Sequence, residues 1–427
     1  MWCSIPESTK KRIVIVGAGF AGLKLASKLN GSDYQVILLD QNNYHQFQPL
    51  FYQVATAGLE PSAISFPLRK VFQKSENTII RIASVSSVDT EKQVILTSLG
   101  MIRYDFLVLA TGTTTNFFGM EHIRALAIPM KSVAEALRLR NQILQNFEDA
   151  LTTGDKDQLE RLMNIVVVGG GPTGVEISGT LAEMRKYILP KDYPELDFSQ
   201  MKIHLVEAGD KLLAGMKPSS SAKALKYLDK LGVDVILKGQ VSDYDGNIVS
   251  IKDVNNINAG TLVWAAGVSA EKIPGLPENV FTRGNRILVN RYNQVEGFSN
   301  LFALGDIASM TEGIYRQGHP QLAQPAIQQA KLLAGNFMRI RDNKPLKSFL
   351  YHDKGSMATV GRNLAVVDLP FISFYGFFAW LTWMFVHLMA IVGVKNRLLV
   401  FINWFWNYIT YDQSLRLIIK PLQRIQK

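Results

Sequence analysis

Two glycine clusters, Gly17-x-Gly19-x-x-Gly22 and Gly169-x-Gly171-x-x-Gly174, are the residues whose spacing most directly implies chemistry. Each follows a β-branched run (RIVIV, NIVVV) and opens a segment of helical propensity. In such a turn the first glycine permits the tight bend and the second lets the backbone approach a pyrophosphate. The third allows close helix packing, and the helix N-terminus then faces the negative charge. An acid ending the next strand can bind a ribose hydroxyl. Asp40 stands 23 residues after Gly17, and Glu207 stands 38 after Gly169, the longer interval being accounted for by an insertion around Pro190 and Pro194. An acid at Glu207 favours a free 2′-hydroxyl over a 2′-phosphate, hence NADH over NADPH. Taken alone, either triplet could be an ordinary turn and either acid a solvated strand end.

The elements that must position these residues recur in order. Residues 12–39 read as strand, helix, strand, and the pattern returns at 164–207. FLVLATG (106–112) and TLVWAAG (261–267) each follow one of these units and end in small residues, among them Thr111, Gly112 and Gly267. A further strand, NLFALGD (300–306), belongs with the first unit although it follows the second in sequence. The expected fold is therefore α/β, with two Rossmann-like dinucleotide-binding domains and a C-terminal helical region. The expected bounds are an FAD-binding domain over 1–120 and 291–350, an NADH-binding domain over 121–290, and a membrane-anchoring region over 351–427. Two such sites in one chain fit one tightly held, non-covalent FAD and one exchanging NADH. Gly17, Gly19, Gly22, Asp40, Thr111, Gly112 and Asp306 fall to FAD. Gly169, Gly171, Gly174, Glu207 and Gly267 fall to NADH. Asp306, an acid at a strand end close to a helix start, suits the ribityl or phosphate region, with a plain polar turn as the alternative.

Composition narrows the classes. Of 427 residues 47% are hydrophobic and 19% charged, which excludes an intrinsically disordered chain. The single cysteine, Cys3, excludes a disulfide framework, an iron–sulfur cluster and a redox dithiol. Disulfide reductases and sulfide:quinone reductases, which share the two-dinucleotide plan but work through paired cysteines, fall with it. The six histidines show no metal-ligand spacing and read as surface or packing residues. Residues 1–11 contain no apolar signal region, so the first domain is expected to fold in the cytosol. The net charge is +10, and half of it lies in 351–427, where eight Lys/Arg face three acids beside four of the six tryptophans. That mixture suits a membrane interface better than a nucleic-acid groove. Residues 371–394 hold no charged side chain and are long enough to span a bilayer. Beyond them Asn403, Asn407, Thr410 and Ser414 recur at helical spacing, and Arg416, Lys420 and Arg424 continue as a basic stripe suited to anionic lipid.

Several stretches together resemble the type II, non-proton-pumping NADH:quinone oxidoreductases: FQPLFYQVATAGLEP (47–61), GGGPTGVEISGTLAEM, LFALGDIA, AQPAIQ (323–328), KGSMATVGR (354–362) and the aromatic tail. The resemblance runs from about 12 to 420. It implies hydride transfer from NADH to FAD and two-electron reduction of a membrane quinone, by a homodimer attached monotopically to the cytoplasmic face of the bacterial inner membrane. It places Gln324 and Gln328 at the quinone, where amides can donate to a carbonyl gaining charge. The alternative for both is bridging of backbone. Glu176, read as lying in the first turn of its helix, would position nicotinamide or relay protons toward quinone. Lys354 would neutralise reduced flavin or simply form a salt bridge, and Gln53 would face the quinone. No metal is called for, nor a catalytic triad, because the cofactors carry the chemistry. Two other readings remain: an NADH-dependent reductase of a ferredoxin or rubredoxin, against which the aromatic tail counts, and a flavoprotein whose NADH binding regulates a partner.

Overall fold

The computed structural model describes residues 1–412 and 415–419. The chain separates into two compact units. The first comprises Met1–His45, Phe66–Thr114 and Val268–Asp353; the second comprises Gln46–Ser65, Thr115–Gly267 and Lys354–Lys427. These bounds differ from those expected in three respects. Residues 46–65 group with the second unit, the C-terminal region joins that same unit, and residues 268–290, expected with the NADH-binding domain, group with the first.

The first unit is built on a five-stranded parallel sheet in the order Leu301–Ala303, Phe106–Leu109, Arg12–Val16, Gln35–Asp40, Thr78–Ile82. Ile13 to Val16 are all buried, which is why the run is continuously apolar and not alternating. The strand from LFALGD lies beside FLVL, so this unit is discontinuous in sequence, as expected. In the second unit a sheet of the same kind has the order Ile128–Pro129, Thr261–Trp264, Ile165–Val168, Ile203–Glu207, Asp234–Leu237. The edge place of LFA in the first sheet is taken here by Ile128–Pro129, which precedes its glycine strand in sequence. The duplication is therefore one of sheet plan, with the edge strand drawn from opposite ends.

The second unit adds an antiparallel sheet, Ser356–Gly361, Leu364–Asp368 and Ser373–Tyr375, against the helix Pro172–Tyr187. Gly179 permits their approach: a Cβ there would lie 1.5 Å from the carbonyl oxygen of Val360. Asp368 ties the same sheet to the helix Pro218–Lys230, accepting from Ser220 Oγ at 2.7 Å and from the Lys217 N–H at 2.8 Å.

The apolar run 371–394 is broken. Ser373–Tyr375 is strand, Gly376 turns the chain at φ +79°, and only Phe377–Ala390 is helix. At about 1.5 Å per residue its 14 residues reach only about 21 Å. Among the described residues no helix is long and apolar enough to cross a membrane. The final helix is Val394–Thr410. Arg416 therefore lies beyond its end and pairs with Asp192 and with Asp412, so it is not part of a helical basic stripe. Lys420, Arg424 and Ser414 lie outside the described residues.

Replacing Gly179 by valine forces the helix and strand apart and is expected to cost about 1–3 kcal/mol or more. The exposed helical Gly335, where a Cβ meets nothing within 4 Å, is the control. Gly335→Ala is expected to leave the melting temperature unchanged or slightly raised, and calorimetry checks both.

Candidate functional site: two dinucleotide cradles and a buried carboxyl pair

The two glycine loops have one geometry. Gly17 has φ +100° and a Cβ there would lie 2.3 Å from the Ala110 carbonyl oxygen; Gly169 has φ +108° with Ala265 at 2.7 Å. Gly22 and Gly174 each sit so close beneath the loop that a Cβ would lie 1.8 Å from the Gly17 or Gly169 carbonyl oxygen. A Cβ on Gly19 or Gly171 would meet nothing within 4 Å. The middle glycine of each loop thus borders open space, and each is the N-cap of its helix with no side chain satisfying the first amides. Uncapped amides facing a space without side chains are what a pyrophosphate requires. The residues present fit the two dinucleotides.

The acids sit where expected and hold the loops. Asp40 accepts from the Ala18 N–H and the Asn42 N–H, both at 2.7 Å. Glu207 accepts from Gly170 at 2.5 Å and Gly209 at 2.6 Å. Thr111 and Gly112 follow Ala110, which packs on Gly17, and Gly267 follows Ala265 and Ala266, which pack on Gly169. Asp306 lies in the single turn Gly305–Ile307, and Thr113 Oγ1 donates to it at 3.4 Å. That short turn follows the strand Leu301–Ala303 directly, and the next long helix begins at Ala323.

Two residues passed over in the sequence support the first cradle. Gln329 Oε1 accepts from the Gly305 N–H at 2.8 Å, and His45 is buried with Nδ1 2.9 Å from the Ala18 carbonyl oxygen. Burial lowers the pKa of His45, keeping it neutral. Neither had a spacing signal, since each acts through the backbone of a loop remote in sequence. Gln324 is half-buried in the first turn of Ala323–Arg341. Gln328 is committed to backbone: its Nε2 donates to the His352 carbonyl at 2.9 Å and its Oε1 accepts from the His352 N–H at 3.1 Å. The backbone-bridging alternative describes Gln328.

In the second unit the helix Pro172–Tyr187 carries Glu176 one turn further in than expected; its first turn has no acid. Glu176 is buried, and burial raises its pKa well above the carboxylate range, opposed by the Thr359 backbone amide and the Trp383 indole. Tyr52 from the short helix Phe51–Ala55 is also buried, its phenol pushed up first by burial and then by Glu176. Gln53 Nε2 donates to the Tyr52 hydroxyl at 2.8 Å, while Gln53 Oε1 accepts from Trp404 Nε1 at 2.7 Å. One amide hydrogen of Gln53 therefore remains for another acceptor. Beside them lies a cavity of about 140 Å³ walled by Tyr52, Gln53, Thr180, Glu183 and the tryptophans 380, 383 and 404. Lys354 is exposed at the start of the segment leading into Ser356–Gly361.

The final helix turns its polar side toward the protein, an orientation the amphipathic reading left open. Its buried residues include Asn396, and Asn407 also faces the protein. Asn396 Nδ2 donates to the carbonyls of Ser62 (3.1 Å) and Ala63 (3.0 Å), and Asn407 Nδ2 to that of Gly58 (3.1 Å). The apolar side faces outward with Leu398, Phe401, Ile402, Phe405 and Ile409, the last 61% exposed. The preceding helix does the same with Phe378 at 74% and Phe385 at 66%.

Residues 11–330 match the family model described as pyridine nucleotide-disulphide oxidoreductase, and residues 353–410 match the NDH2 C-terminal domain. The first match covers both cradles and fixes the class, an oxidoreductase with two dinucleotide folds. Among relatives, the type II NADH:quinone oxidoreductase Ndh of Mycobacterium tuberculosis is 35% identical over 410 residues, spanning 92% of this chain and 87% of its own. The type II NADH:quinone oxidoreductase of Haemophilus influenzae is 31% identical, spanning 84% and 87%. The solved structure of NDH2 from Plasmodium falciparum in complex with NADH shares the fold, with a TM-score of 0.88 at 20% identity, over 96% of this chain and 100% of that one. The chain belongs to the type II NADH:quinone oxidoreductase family.

Asn396→Leu leaves the Ser62 and Ala63 carbonyls without their donor, at an expected cost of about 1–3 kcal/mol. Hydrogen exchange is expected to speed up across 394–410 and 58–65 while the sheet Arg12–Val16 stays protected.

Proposed function

We propose that this chain, an FAD-dependent NADH:quinone oxidoreductase, assigns its steps to the residues just described. When bound, FAD supplies the redox chemistry, taking hydride from NADH and passing two electrons to a quinone without moving charge across a membrane. The loop at Gly17, Gly19 and Gly22 with Asp40, Thr111, Gly112 and Asp306 holds FAD. The loop at Gly169, Gly171 and Gly174 with Glu207 and Gly267 holds NADH, Glu207 disfavouring a 2′-phosphate.

The observation carrying the quinone assignment is the buried, high-pKa Glu176 backing a cavity walled by aromatic rings. Gln53 uses its remaining amide hydrogen to donate to a quinone oxygen as charge develops there; the assignment of Gln324 to the quinone rests on family membership. Gln328 positions the helix that carries Gln324. Glu176, held neutral by burial, has a proton to give. Lys354 supplies positive charge for the flavin when reduced. The outward apolar faces of the two last helices seat the protein on a lipid surface. We further assign it to the cytoplasmic face of a bacterial inner membrane, as a homodimer; these assignments rest on family membership.

Anaerobic stopped-flow with double mixing tests the reading. NADH is expected to bleach the flavin rapidly, and a short-chain quinone is expected to restore the colour rapidly. Glu176→Gln is expected to leave bleaching unchanged and slow recovery about 10²-fold or more, the scale of a lost proton donor. Slow recovery in the wild type would remove the quinone from the reading.

A further inference from the structure

Two carboxyls border the cavity: Asp412, which pairs with Arg416, and Glu183, two turns beyond Glu176 on the same helix. Glu176 is buried behind it, while Glu183 is only half-buried. Tyr52 senses both: its phenol is raised by Glu176 and, more weakly, by Glu183. Thr180, between the two acids, also lines the cavity. The Arg362 N–H donates to Glu183 Oε1, so one carboxyl oxygen is fixed in place. That amide belongs to the turn closing the hairpin of Ser356–Gly361 and Leu364–Asp368.

We propose that Glu183 is the proton-entry residue of quinone reduction, taking a proton from solvent and delivering it into the cavity toward Tyr52, Glu176 and the quinone. The inference rests on the quinone reading above. Reduction of a quinone to a quinol consumes two electrons and two protons. NADH supplies both electrons and one hydrogen, so each turnover draws one further proton from water. In the step assigned here the Glu183 O–H bond breaks, its proton moves into the cavity to end on a quinol oxygen, and the carboxylate takes a replacement from solvent. The electrons reach the quinone from the reduced flavin.

The surroundings suit the task. Burial pushes the Glu183 pKa up to about 7, opposed by the Arg362 amide and the Arg362 charge. The groups around it are few. Its own helix offers Glu176 and Tyr187; the hairpin turn offers Arg362; the helix Phe51–Ala55 offers Tyr52. The last helix and the residues after it offer Tyr408, Tyr411 and Asp412. The Arg362 guanidinium is engaged by the rings of Tyr408 at 4.2 Å and Tyr411 at 3.7 Å. From Phe377–Ala390 the cavity receives Trp380, Trp383 and Met384, none titratable. His387, stacked on Trp383, has its pKa lowered to about 4 by burial and stays neutral.

The test is the pH dependence of flavin recovery by a short-chain quinone, in the holoenzyme and in Glu183→Gln and Glu183→Asp. A donor must hold its proton, so wild-type recovery is expected to slow as pH rises through about 7. Glu183→Gln is expected to slow recovery about tenfold or more at pH 6 and to lose that inflection, with Glu183→Asp restoring part of both. NADH bleaching is expected to be unchanged. Melting temperature gives a second readout. A carboxyl whose pKa is raised on folding stabilises the fold least above that pKa, the loss developing from about pH 4.5 to about 7. Glu183→Gln should therefore gain on the wild type over that window. An inflection retained in Glu183→Gln, or a melting difference independent of pH, would overturn the proposal. A wild type that bleaches with NADH but never recovers with quinone would instead overturn the quinone reading, whatever the variants do.

Discussion

Much in the second unit depends on one close approach, the backbone of the helix Pro172–Tyr187 against the strand Ser356–Gly361 at Gly179. With any larger residue there the two could not touch. Because they do, the Thr359 amide reaches Glu176, and the Arg362 amide at the end of that strand reaches Glu183. Glu176 is withdrawn from water and Glu183 partly so, and each keeps a backbone donor that limits how far its pKa rises. A carboxyl desolvated without any donor would be more costly still. The arrangement yields one acid whose pKa burial raises well above the carboxylate range and one pushed up to about 7.

The same unit resolves a conflict over where polar groups belong. Residues 58–64 form no helix or strand apart from one short turn at Pro61–Ala63, and the carbonyls of Gly58, Ser62 and Ala63 take donors from elsewhere in the chain. The final helix meets them with Asn396 and Asn407 and sends its large apolar residues outward. In water that is the wrong way round for a stable surface. Against acyl chains it is the right way round, since the polar amides are satisfied internally and the exposed rings lose nothing. Among the described residues no helix is long and apolar enough to cross a membrane, and the proposed seating on a lipid surface is a use these outward faces suit.

The parts that follow from local rules were legible in the sequence. Strand, turn and helix at both glycine loops, the acids Asp40 and Glu207, and the return of LFALGD to the first sheet all follow from period and spacing. What escaped were features set by tertiary contact. Helical periodicity marked Asn403 and Asn407 as a polar face but could not say which side was covered. The uncharged run 371–394 gave no sign that Gly376 would turn the chain. Arg416 looked like part of a stripe because the end of the helix at Thr410 is set by Tyr411, whose φ is +52°. Glu183 lies within the stretch GGGPTGVEISGTLAEM, but nothing in its spacing singled it out; its character comes from the hairpin that covers it. Gln328 was legible as a polar helical residue but not as one bonded at both ends to His352.

Everything proposed for the cavity turns on Glu176, whose pKa burial raises well above the carboxylate range. Infrared difference spectroscopy of the holoenzyme at pH 8, above the value of about 7 for Glu183, isolates it. A protonated carboxylic acid carbonyl band is expected in the wild type, absent from Glu176→Gln and shifted in deuterium oxide. A wild type and variant differing only by carboxylate bands, with Glu176 titrating in the ordinary range near pH 4.5, would contradict it.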